Sequence, residues 1–61
     1  NMKLKAAREK SGKTQRQVAE EAGVTWRAYQ YYEADKKEPG VRTAIRIARV
    51  LNSKVDDLFQ E

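Results

Sequence analysis

The chain has 61 residues, 39 % apolar and 36 % charged, which suits one small globular domain and excludes a two-domain enzyme or a large sheet. It contains no Cys and no His, so a disulfide, a zinc–thiolate site, a Cys nucleophile and a Ser-His dyad are excluded; no apolar run approaches the ~18 residues of a membrane span. The net charge of +4 is uneven: residues 1–37 carry nine Lys or Arg and five Asp or Glu, and residues 38–61 carry four of each, which suits a polyanion-binding surface or a solvated basic face on one part of the chain.

Asn1 precedes Met2 and is set aside as the remnant of a cloning tag. Lys3 to Lys10 is built from good helix formers, with Leu4 and Ala7 sharing a face, and Gly12 lies just past its end. Thr14 opens Thr-Gln-Arg-Gln, a capping box in which the hydroxyl takes the amide of Gln17 and Gln17 reaches back. Val18, Ala19 and Ala22 form the apolar face of this second helix, which stops at Gly23. Thr25 caps a third helix, Trp26 to about Ala34, with Tyr29 and Tyr32 three apart. Asp35 to Gly40 is polar, contains Pro39 and reads as a loop. Val41, Ala44, Ile47, Ala48 and Leu51 share one face of a fourth helix, whose other face shows Arg42, Arg46 and Arg49. Asn52-Ser53 ends it, and Asp56 to Phe59 forms a last short turn with Val55, Leu58 and Phe59 apolar. With no period-2 stretch and no hairpin signal, the expected fold is all-α, with five helices.

Two short helices joined at a Gly follow the helix-turn-helix pattern. Ala19 stands where the next helix crosses closely, and a long side chain there would wedge the two apart. Gly23 can take the left-handed conformation of the turn. Val24 fills the corner, and Tyr29 and Tyr32 hold the third helix to the core, which leaves Trp26, Arg27, Gln30 and Tyr31 outside.

With these positions in place, the sequence resembles the Cro/CI-type (XRE-type) helix-turn-helix repressors of phages and bacteria. The resemblance spans residues 4–59; Thr14-Gln15-x-x-Val18-Ala19 and the ending Asp56-Asp57-Leu58-Phe59 are especially typical. Lys13 stands where an apolar residue is usual, Tyr29 and Tyr32 where Ile, Leu or Val is usual, and Ser53 replaces a common Val. The resemblance implies a five-helix, lambda-repressor-like DNA-binding domain over residues 2–61. It further implies a cytoplasmic transcription regulator, most simply a repressor, that pairs on a palindromic double-stranded operator. No cofactor, metal, membrane or small-molecule ligand is called for. An antitoxin or other protein-interaction module of the same fold is the alternative. Arg8 and Glu33 match family positions that form an ion pair. The sequence ends at Glu61, just past the last expected helix; a protein that ends there would act as a small dimeric repressor, and a longer one would be a regulator whose other half sets the signal.

The residues expected at DNA fall into two groups. Trp26, Arg27, Gln30 and Tyr31 face the bases; Arg27, the only charged side chain on that face once Glu33 is paired, is suited to guanine O6 and N7. The alternative for Trp26 is that it folds back onto the second helix. Gln15, Thr25, Lys36, Lys37 and Arg42 are expected at the phosphates, Gln15 with help from the partial positive charge of its helix end. For Lys36 and Lys37 a solvated loop is the alternative; the arginine stripe of the fourth helix reads first as a solvated face, from which Arg42, nearest the loop, is the candidate for a phosphate contact.

Overall fold

A computed structural model of the chain describes residues 1–59 as α1 (Met2–Lys10), α2 (Gln15–Ala22), α3 (Trp26–Glu33), α4 (Val41–Val50) and α5 (Val55–Phe59). The five helices are the expected ones, with ends displaced by about a residue, and the described residues include no strand. The expected domain end at Glu61 lies outside the described residues. Asn1, set aside in the sequence, caps α1: its side chain accepts from the Leu4 amide at 3.0 Å.

Local chemistry sets the boundaries. Thr14 Oγ1 accepts from the Gln17 amide at 3.1 Å and Gln17 Oε1 accepts from the Thr14 amide at 2.8 Å, so the capping box is complete. Thr25 Oγ1 accepts from the Ala28 amide at 3.1 Å and starts α3. The first four helices are each followed by a left-handed residue: Gly12 (φ 70°), Gly23 (φ 75°), Asp35 (φ 58°) and Asn52 (φ 52°). In each case the next amide reaches five residues back: Lys13 to the Arg8 carbonyl, Val24 to Ala19, Lys36 to Tyr31 and Ser53 to Ala48. This closure satisfies a carbonyl left over at each helix end and holds the connections short.

The core is Leu4 of α1, Val18, Ala19 and Ala22 of α2, Tyr29 and Tyr32 of α3, Ile47 and Ala48 of α4, Leu51, and Leu58 of α5. Tyr29 is fully enclosed in this cluster. Val24 packs against the cluster from the corner, as its position suggests. Val41 does not join the apolar face assigned to it: it is 79 % exposed. It is the first residue of α4, ahead of the point where that helix meets its neighbours, and the buried face begins at Ala44. No helix among the described residues is long and apolar enough to cross a membrane.

Candidate nucleic-acid interface

Tyr29 and Tyr32 tie one side of α3 to the core, so the other side faces out. Trp26 is 42 % and Tyr31 40 % exposed, Arg27 is exposed, and Gln30 is half-buried. Thr25 is exposed at the start of the same helix. The four residues expected to face bases therefore lie on one helix, beyond the core.

The only carboxylate of α3 is withdrawn from that face. Glu33 Oε2 accepts from Arg8 Nε at 2.6 Å, and Oε1 accepts from Arg8 Nη2 at 3.4 Å and from Gln15 Nε2 at 3.0 Å. Arg8 Nη1 also donates to the Lys13 carbonyl at 2.9 Å. The pair is largely buried, with side-chain exposures of 13 % for Arg8 and 6 % for Glu33. Burial on its own would raise the Glu33 carboxyl, but the hydrogen bonds from Arg8 and Gln15 outweigh it and hold the group below the usual carboxylate range. Tyr29 lies beside this network. Burial, and then the Glu33 carboxylate, push its phenol far up, so it stays protonated. The Tyr29 hydroxyl is nonetheless the one buried side-chain polar atom among the described residues without a hydrogen bond.

Gln15 begins α2 and is half-buried. One hydrogen of its amide nitrogen is used by Glu33, and the other remains as a donor. Lys13 Nζ pairs with Glu21 at 2.8 Å in an exposed contact. The described side-chain ion pairs thus use Arg8 and Lys13, and none involves Arg27, Lys36, Lys37 or Arg42. All four of these residues are exposed.

An open groove of about 470 Å³, lined by Lys13, Thr14, Gln15, Arg16 and Trp26 among others, brings the start of α2 beside the start of α3. Gln15 and Trp26 therefore share one groove. Lys37 belongs to a second groove of about 400 Å³ with Tyr32, Pro39, Val41 and Phe59, near the start of α4, where Arg42 is the second residue. One residue escaped the sequence reading. The Arg16 guanidinium lies over the Trp26 ring, 4.1 Å from its centroid. Trp26 thus leans on α2, as its alternative reading has it, yet keeps much of its surface open. The signal for this pair was an Arg on the second position of one helix and a Trp on the first of the next, which a tight corner brings together.

The sequence profile of the helix-turn-helix family matches residues 4–58. The chain belongs to this helix-turn-helix family. Within the Cro/CI (XRE) type that its motifs resemble, α2 and α3 are the two helices of the motif and Gly23 is its turn. Two uncharacterized HTH-type transcriptional regulators of Archaeoglobus fulgidus are similar to it. One is 37 % identical over 57 residues, covering 93 % of this chain and 81 % of that protein. The other is 35 % identical over 57 residues, covering 93 % and 80 %. The uncharacterized HTH-type transcriptional regulator YqaE of Bacillus subtilis is 35 % identical over 57 residues, 93 % of this chain and 49 % of that protein.

Proposed function

We propose that the domain is a sequence-specific double-stranded-DNA-binding repressor that places α3 in the major groove. DNA binding and transcription regulation follow from the helix-turn-helix family. One observation favours α3 as the reading element: its single acid, Glu33, is turned into the Arg8 pair. The outward face is left with Trp26, Arg27, Gln30 and Tyr31, a set of donors and rings without a carboxylate to repel phosphate. Gln15, Thr25, Lys36, Lys37 and Arg42 then contact the backbone, on both sides of the reading helix. The operator is palindromic and bound by two copies, in the cytoplasm of a bacterial or phage-infected cell. No cofactor, metal or small-molecule ligand takes part. Selection of random duplexes with the purified domain tests this reading. An enriched, two-fold symmetric motif is the expected result, and a bound pool with no shared sequence would overturn it.

A further inference from the structure

Arg16 is the second residue of α2 and is exposed. Its guanidinium lies over the Trp26 indole, 4.1 Å from the ring centroid, and it forms none of the described ion pairs. A guanidinium stacked on a ring engages through its flat face. Its N–H donors lie in the plane and point outward from its edge, free for the oxygens of an acceptor such as phosphate. The groove that Arg16 and Trp26 close has no Asp or Glu on its lining, and its other two cations, Arg8 and Lys13, are already paired with Glu33 and Glu21, so Arg16 is its one charge outside the described ion pairs. The same contact restricts the indole. Trp26 is 42 % exposed and is the first residue of the reading helix, so its outer surface is open to the groove.

We propose that Arg16 is a positioning residue for base reading: stacked on Trp26, it holds the indole at the face of α3 while its edge binds a DNA phosphate. The inference rests on α3 being the reading helix. One side chain would then couple docking on the backbone to the choice of base, because the guanidinium that grips the phosphate also sets the ring. A lysine in its place keeps the charge but loses the flat face, so the two roles can be separated by substitution.

Trp26 is the only Trp of the chain, so its fluorescence reports the stacking directly. The full chain is compared with Arg16→Lys and Arg16→Gln, by acrylamide quenching without DNA and by titration against all single-base variants of the selected site. In both variants the indole should quench more readily. Arg16→Gln should flatten the salt dependence of binding by roughly one unit, whereas Arg16→Lys keeps it. Both should lose about threefold discrimination at one base pair per half-site, from release of the ring. In a Trp26→Ala background, Arg16→Lys should leave the rank order of sites unchanged. Unchanged quenching and rank order in both variants would overturn the inference, as would an Arg16→Lys variant indistinguishable from the parent. If the parent enriches no motif, the reading of α3 fails as well; if it does and Arg16→Lys keeps its rank order, only the role of Arg16 fails.

Discussion

At the last residue of α3, the Glu33 carboxylate faces α1 and α2 and not solvent, held by Arg8 and Gln15. Removing Arg8 would leave a buried, uncompensated charge. Arg8→Ala should therefore cost about 3–5 kcal/mol, close to the whole stability of a domain this small, and a thermal melt reads it. The pH dependence follows from the depressed carboxyl. Stability from the pair is present above the unfolded-state value of about 4.3 and is lost as pH falls through the lower folded value. Acid unfolding should consequently begin below about pH 4.3, and Glu33→Gln should weaken the dependence on pH in that window. Followed by circular dichroism, identical acid profiles for parent and variant would remove this role. With Glu33 withdrawn, Arg27 is the charged side chain left on the outward face, in the first turn of α3. Arg27→Ala should cost about 1–3 kcal/mol of binding and relax preference at one guanine per half-site. If Arg27 bound only phosphate, every site would weaken alike and their rank order would survive, which titration of single-base variants distinguishes.

The helices and their ends were legible because their signals are local. The Thr14 capping box, the Thr25 cap and the left-handed Gly12 and Gly23 follow from residue type and spacing, and the structure has each of them. Asp35 and Asn52 play the same part as the glycines, but Asp and Asn are also ordinary loop residues, so their left-handed geometry was not written in their identity. Val41 misled because helical period says which face a residue shares, not whether a neighbour reaches that turn. The Arg16–Trp26 contact depends on how the corner sets two helices, which no single segment encodes. Gly23 allows a test at this scale. A Cβ there would come no nearer than 3.9 Å to Arg46, so space is not the obstacle; the φ of 75° is. Gly23→Ala should lower stability by about 1 kcal/mol through backbone strain, read by thermal melting, with the motif still folded. The loop after α3 can be tested through salt. Lys36→Ala or Lys37→Ala should weaken all sequences about equally and flatten the salt slope by roughly one unit; unchanged slopes would take both lysines out of the interface.

For the whole molecule, size argues for pairing. A single reading helix covers about four to five base pairs, too few to pick one site from a genome's competing sequences. Two reading helices related by a dyad sit about 34 Å apart on one side of the duplex. The longest extent of the fold is 25 Å, so two copies at that spacing would stand flank to flank, with a gap that side chains can bridge. The flank expected to meet is the C-terminal one, around α4 and α5, since the excess positive charge lies on residues 1–37. Val41, 79 % exposed, and Ile45, 38 % exposed, share one face of α4, and Val41 lines a groove with Phe59. Val41 in particular is left largely uncovered within the monomer. Few contacts of this kind would not hold a dimer in free solution, so the two copies should associate chiefly on DNA, where the operator supplies the second point of attachment. Sedimentation at saturation should find two proteins per operator. The uncharged Val41→Ser should leave binding to an isolated half-site unchanged and lower affinity for the full site, because only the contact between copies is lost. One protein per saturated operator, or an equal loss on half-site and full site, would contradict the pairing.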